Sequence, residues 1–276
     1  MKLISICPSN TELLHFLGLT SNLIAVDDFS DWPKALQDLP RLGPDLSIDM
    51  DKLESLKPDL VLASLSVPGM EKNVEKLKER NIPHVVYNPQ TLIDIQNDLL
   101  DLGMRTNKQA EAHQMVTWMR NEIHTYETIS HSIKQKKRIY FEWWPKPVFT
   151  PGRINWLTEI ALLAGAQNVF DDVELASLQT TWEDVVTRQP DIIGMVWVGV
   201  KTAKMQPAHI TKREGWNLLK AHQTKIIKLE ESLFCRPSPR LIFGLKRLAA
   251  LLHPTEFPAF LPEDEESNIE ELQVTT

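Results

Sequence analysis

Apolar residues follow two alternating patterns along this chain. Short continuous apolar runs at 3–7, 23–26, 60–63 and 84–87 read as strands buried on both faces, the form expected in a parallel sheet covered by helices. Between them the pattern predicts helices over 11–17, 52–56, 70–80 and 91–102. Turn residues support these breaks. Pro8 ends the first run, Ser9-Asn10-Thr11-Glu12 has the S-x-x-E form of a capping box, and Gly18 and Gly103 stand as helix stops. From Lys108 to about Lys134 there is neither Pro nor Gly, and Ala112, Met115, Val116, Met119, Ile123 and Tyr126 recur at helical spacing. One helix spanning roughly 40 Å is expected there. The alternation then restarts, with strands at 139–142, 192–198 and 226–229. Helices are expected at 157–163, after the capping-box pattern Thr180-Thr181-Trp182-Glu183, and at 240–252 with Ser238 as N-cap and Pro239 at the first helical position.

The second stretch echoes the first. Thr11-Glu12, an apolar run and Gly18 are matched by Thr158-Glu159, an apolar run and Gly165. Leu56-Lys57-Pro58-Asp59-Leu60-Val61 is matched, in the same order, by Arg188-Gln189-Pro190-Asp191-Ile192-Ile193. The fold class expected is α/β, with two similar lobes of mostly parallel sheet joined by one long helix. The lobes are drawn at 1–106 and 138–256, the linking helix at 107–137, and an acidic disordered tail at 257–276. A cleft between two such lobes is where a small ligand would bind.

Composition narrows the function classes. With 42% hydrophobic and 24% charged residues the chain is ordinary for a globular protein, and a net charge of −7 argues against nucleic-acid binding. No run approaches the roughly 18 apolar residues of a membrane span. The two cysteines, Cys7 and Cys235, cannot form a disulfide framework, and no zinc spacing occurs. With no export leader or lipid-anchor cysteine visible, the chain as written reads as cytoplasmic, and a monomer is expected. The basic run Lys134-Gln135-Lys136-Lys137-Arg138 reads as a helix end and a solvated turn.

Chemistry should sit on loops beyond the carboxyl ends of the strands. These loops carry Cys7, Pro8, Ser9 and Asn10; Asp27 to Trp32; Ser64; Trp143 and Trp144; Trp197; and Ser232, Phe234, Cys235 and Arg236. Asp27, Asp28 and Asp31 read as loop caps. Eight tryptophans, at least four of them at strand ends, suit a large, flat, amphipathic ligand, with Arg236 as a polar anchor. No nucleophile–base constellation, Walker A or dinucleotide motif is present, which weighs against catalysis. No metal site is expected. The histidines, His222 among them, are scattered.

The opening Cys-Pro-Ser-Asn-Thr-Glu-Leu, Ser30-Asp31-Trp32-Pro33, Leu56-Lys57-Pro58-Asp59-Leu60-Val61, Phe149-Thr150-Pro151-Gly152 and Phe234-Cys235-Arg236-Pro237-Ser238-Pro239-Arg240 together resemble the vitamin B12-binding members of the substrate-binding proteins of ABC importers. The resemblance spans about residues 2–253. It implies two α/β lobes joined by a long helix, with a corrinoid (cobalamin) as ligand in the cleft and an ABC permease as partner. It implies Trp32, Phe234 and Arg236 as pocket residues and Glu71 as a permease-docking carboxylate. Ser64 stands where the family has a strand-end tryptophan, and Ser232 where it has an aspartate. The ligand-binding candidates are therefore Pro8, Ser9, Asn10, Trp32, Ser64, Trp143, Trp144, Trp197, Phe234 and Arg236. Two alternatives stay open: a ferric-siderophore or haem binder, and an intracellular corrinoid- or metal-processing enzyme using Cys7 and Cys235. Only three tyrosines occur, Tyr87, Tyr126 and Tyr140, none at an evident strand-end loop, which favours the corrinoid.

Overall fold

The computed structural model of the chain describes residues 1–219, 224–261 and Glu265, and His222 lies outside them. It divides into two compact units, one formed by 1–89 with 93–119, the other by 90–92 with 120–265. The first holds strands β1 (Leu3–Ser5), β2 (Leu23–Val26), β3 (Leu60–Ser64) and β4 (His84–Tyr87), with helices α1 (Pro8–Phe16), α2 (Met50–Ser55), α3 (Glu71–Glu79) and most of α4 (Leu92–Thr106). The long helix α5 (Gln109–Ser132) contains the division between the units. The second unit holds β5 (Lys137–Glu142), β6 (Trp144–Pro145), β7 (Val148–Pro151), α6 (Trp156–Leu163), β8 (Ala166–Asn168), β9 (Ser177–Thr180), α7 (Trp182–Arg188), β10 (Ile192–Met195), α8 (Ala208–Thr211), β11 (Lys225–Lys228), α9 (Glu231–Phe234) and α10 (Leu241–Leu252).

The sequence echo reappears as topology. The first sheet has the order β2-β1-β3-β4 and the second β8-β5-β10-β11, every pairing parallel. In each, a helix carrying Thr-Glu (α1, α6) leads to the strand beside the first one, and a short helix (α2, α7) leads to the strand on its other side. Buried aliphatic residues cover the strands, as continuous apolar runs require. Ile4, Ala25, Val61 and Ala63 pack with Leu53, Val74 and Leu77 in the first unit. Tyr140, Ile193 and Met195 pack with Trp182, Val185 and Ile210 in the second.

Several expectations need correction. Helix α1 begins at Pro8, with Cys7 as N-cap, so Ser9 to Glu12 lie inside the helix and form no capping box. Proline needs no donor at the first helical position and its φ is pre-set, which moves the start forward. Helix α7 is capped by Thr181, whose hydroxyl accepts from the Asp184 N–H, one residue later than the pattern suggested. Gly103 lies within α4, which ends instead at Thr106 and is followed by Asn107 with φ of 58°. The glycine is needed because a Cβ there would stand 2.6 Å from the Ala112 Cβ, at the close turn between α4 and α5. The loop expected at 143–147 forms the edge of a three-stranded antiparallel sheet, β6-β7-β9.

The expected disordered tail starts too early. Phe257 is buried and stacks on Tyr126 with centroids 5.3 Å apart, Phe260 stacks on Phe243 at 6.0 Å, and Arg240 Nε donates to Glu265 Oε1 at 2.6 Å. Two phenylalanines offer enough apolar area to hold this segment down. Residues 262–264 and 266–276 lie outside the description.

One buried carboxylate organises the second unit. Glu142, fully buried at the end of β5, accepts from both Arg213 terminal nitrogens, at 2.5 and 3.0 Å, from Trp197 Nε1 at 3.0 Å and from the Tyr140 hydroxyl at 3.2 Å. The Arg213 guanidinium also lies 5.0 Å from the Trp182 ring centroid. This bidentate pair ties the 197–213 segment to the sheet.

Asp98 on α4 is the opposite case. Its Oδ2 is buried without a partner, and burial, followed by the neighbouring Asp94 and Asp101 carboxylates, pushes its pKa up to about 7. The unfolded chain would ionise it near the ordinary aspartate range. The folded state therefore binds the extra proton, and stability falls as pH rises towards and through 7. Asp98→Asn should raise the melting temperature at pH 8 by about 3–6 °C, from about 1–2 kcal/mol after solvent screening. The gain should vanish below about pH 4, where both states of the wild type are protonated. Calorimetry at the two pH values checks this, and an equal gain at both would refute it.

Candidate functional site

In the first unit the carboxyl-end loops are tied down by their own polar groups. Asn10 Nδ2 donates to the Ala63 carbonyl at 2.9 Å, and Ser9 Oγ lies 3.2 Å from Cys7 Sγ. Pro8, Ser9 and Asn10 are all buried, so their side chains are committed inside the unit. Ser64 is likewise buried, and its hydroxyl donates to Ser66 Oγ at 2.9 Å while accepting from the Ser66 N–H. These four candidates shape the loops and present no free side chain.

The loop after β2 is braced differently. Ser30 Oγ donates to buried Asp27 at 2.5 Å, the Ser30 and Thr11 hydroxyls are 2.7 Å apart, and Arg41 donates to the carbonyls of Asp27, Ser30 and Leu36. Asp27 thus caps its loop. Trp32 follows, half-buried, its ring edge-on to His15 at 4.5 Å and tilted against Phe16 at 5.9 Å. Braced by these two rings, it can serve as a rigid aromatic wall.

In the second unit Trp143 is half-buried against Trp156, with centroids 5.9 Å apart, and its indole Nε1 is shielded without a partner. Trp144 is 41% exposed, its Nε1 donating to the Lys146 carbonyl at 3.1 Å. Trp197 and Phe234 need correction as direct contacts. Trp197 is buried because its N–H serves Glu142, and Phe234 is fully buried, with its carbonyl accepting from Trp156 Nε1 at 2.9 Å. Arg236 is mostly buried, its Nε and Nη2 lying 3.1 and 2.9 Å from Glu231 Oε2, so its charge is matched within the unit.

The loops also present apolar residues that no sequence motif singled out. Phe29 (47% exposed) and Leu65 (38%) stand beyond β2 and β3, and Val198 (37%) beyond β10. The signal available in the sequence was large apolar residues at strand-end turn positions, where polar ones are usual. With Trp32, Trp143 and Trp144, they give each unit apolar surface on its carboxyl-end loops.

Neither thiol suits metal or nucleophilic chemistry. Burial pushes Cys7 up to about 11 and Cys235 well above the ordinary thiol range. Cys7 Sγ lies 3.2 Å from Ser9 Oγ and Cys235 Sγ 3.5 Å from the Val196 carbonyl, contacts that suit packing thiols better than ligands or nucleophiles. Among the described residues no group of three or more His, Cys, Asp or Glu is placed to hold a metal ion. No helix of the described residues is long and apolar enough to cross a membrane.

At the start of α3, exposed Glu71 folds its carboxylate back, with Oε2 accepting from the Gly69 N–H at 2.7 Å. Backbone N–H groups, its own first and then that of Gly69, hold its pKa below the usual carboxylate value. Arg213 is engaged by Glu142.

Comparison with known proteins fits this arrangement. An uncharacterised ABC transporter substrate-binding lipoprotein of Bacillus subtilis is 28% identical over 264 residues, 93% of this chain and 81% of the relative. A vitamin B12-binding protein of Yersinia pestis is 28% identical over 247 residues, 90% of this chain and 84% of the relative. Among solved structures, the periplasmic vitamin B12 binding protein BtuF of Vibrio cholerae superposes with a TM-score of 0.74 at 25% identity, covering 91% of this chain and 96% of that one. A periplasmic haem-binding protein of Pseudomonas aeruginosa, at 19% identity and a TM-score of 0.80 over 95% of each chain, shares the fold.

These findings overturn the cytoplasmic expectation, since such relatives are lipoproteins or periplasmic proteins. A buried cysteine acts as a small apolar residue in either compartment, so the two thiols do not mark one. The chain is a non-catalytic substrate-binding protein of the ABC type, a class that works with a small-molecule ligand and a permease. The match to periplasmic binding proteins runs through residues 3–231, and this chain belongs to that family.

Proposed function

We propose that the ligand of this substrate-binding protein is a corrinoid, cobalamin in particular, held at the carboxyl-end loops with Trp32, Trp143 and Trp144 as aromatic contacts. The observation that carries this reading is the aromatic and aliphatic surface those loops expose, from Phe29 and Leu65 to Trp144. A corrin is a wide, largely apolar disc edged with neutral amides. It calls for flat aromatic and aliphatic surface plus backbone hydrogen-bonding groups, and needs few ionic anchors. Phe29, Leu65 and Val198 extend that surface. Arg236 and Phe234 support the loop from within.

A haem or siderophore site usually draws on several Arg, Tyr or His anchors, and the tyrosines do not supply one. Tyr87 donates to Asp101 Oδ2 at 2.8 Å, Tyr126 stacks on Phe257, and Tyr140 donates to Glu142. All three are buried. Burial is the leading cause that pushes each phenol up, Tyr126 to about 12, so none readily becomes a phenolate. The vitamin B12-binding protein of Yersinia pestis, similar over most of this chain, supports the corrinoid choice.

Cyanocobalamin titrated into the protein should quench tryptophan fluorescence with a dissociation constant at or below about 10 μM. Trp144→Ala should weaken binding about tenfold with little change in thermal stability, because the ring is exposed. Absence of quenching and of binding heat, or preferential binding of haem in competition, would reject the corrinoid.

The same reading makes Glu71 a contact for a cationic permease residue, since its exposed carboxylate is kept ionised by backbone donors. Glu71→Ala should leave cobalamin affinity unchanged while lowering uptake in a transport assay with the cognate permease. Unchanged uptake would remove Glu71 from docking.

A further inference from the structure

The opposite end of the second sheet carries a feature the corrinoid reading does not use. At the amino ends of β5, β10 and β11 lies a cavity of about 370 Å³, within the range of small-ligand sites, roughly 300–1,000 Å³. Lys136, Lys137 and Lys225 line it together with the apolar side chains of Ile227, Leu251 and Leu252. Lys137 and Lys225 open β5 and β11, and Leu251 and Leu252 close α10. The cavity is one strand length, about 13 Å, from the carboxyl-end loops.

Lys137 and Lys225 are exposed, and the run that holds Lys137 is a solvated turn after a helix end; Lys136 is the exception. Lys136 is half-buried, its Nζ donates to Ser130 Oγ at 3.2 Å, and burial lowers its pKa. No ion pair of these three lysines occurs among the described residues. The one acidic side chain lining the cavity is Asp191, whose Oδ2 accepts from the Arg138 N–H at 2.8 Å. Three positive charges, less one for Asp191 and about half for the carboxyl end of α10, leave an excess of about one to two. Leu251, 54% exposed, adds apolar surface that water would otherwise cover.

From this pairing of unmatched cations with apolar lining we propose a second binding site, for a small aliphatic carboxylate. The carboxylate meets Lys136 and Lys225, and the alkyl chain covers Ile227 and Leu251. It is independent of the corrinoid site and uses none of its residues.

Octanoate is the probe, compared with 1-octanol, which lacks the charge, and with acetate, which lacks the chain. Calorimetry should find one octanoate per chain, bound at least tenfold tighter than either control. Amide shifts in the wild-type protein should cluster at 135–137, 191–192, 225–227 and 251–252. The double variant Lys136→Gln/Lys225→Gln should lose at least tenfold in octanoate affinity. Equal binding of octanol, undiminished affinity in the double variant, or shifts elsewhere on the molecule would each overturn the site. Cobalamin titration of the same samples separates this result from the corrinoid reading, because the two sites share no residue.

Discussion

A parallel sheet covered on both faces has one place left for chemistry. Its strands all end at the same edge, and the loops beyond those ends are the only backbone that must leave the core at a defined position. Both sheets of this protein obey that constraint, with the same strand order built from echoing sequence. It collects residues far apart in the chain, such as Ser9, Trp32 and Ser64, onto one end of a unit, and does the same for Trp143, Trp197 and Arg236. The apolar loop surface that supports a corrinoid follows from it.

The constraint has a cost at the strand ends, where polar groups meet a dry interior. The second unit meets it with Glu142, a carboxylate that would be very unfavourable alone but is saturated by Arg213, Trp197 and Tyr140. The first meets it with the Asn10 amide on Ala63 and with the Thr11, Ser30 and Asp27 relay. Side chains spent on this bracing are unavailable to a ligand. That is why the exposed contacts reduce to a few aromatic and aliphatic residues held in place by buried polar neighbours.

Much of the fold was legible because its signals are local. Apolar runs marked the strands, and Thr-Glu helices ending at Gly18 and Gly165 marked the repeat. Starts and stops were less legible where two signals compete, as at Pro8 against the Ser9 capping box, or Gly103 against Asn107. The site was legible by loop and less so by residue. Sequence position placed Trp197 and Arg236 at strand ends, but whether a side chain turns in or out depends on partners such as Glu142 and Glu231, 55 residues away in one case and five in the other. Phe29 and Leu65 went unselected because apolar residues at loop positions carry no motif.

The most direct test of the central claim is hydrogen–deuterium exchange with and without saturating cyanocobalamin. The account predicts slower exchange at 29–33, 64–66, 143–147 and 197–198, the carboxyl-end loops of both sheets, and no change at their amino ends. Protection confined to other segments, or none at all under saturating ligand, would contradict it.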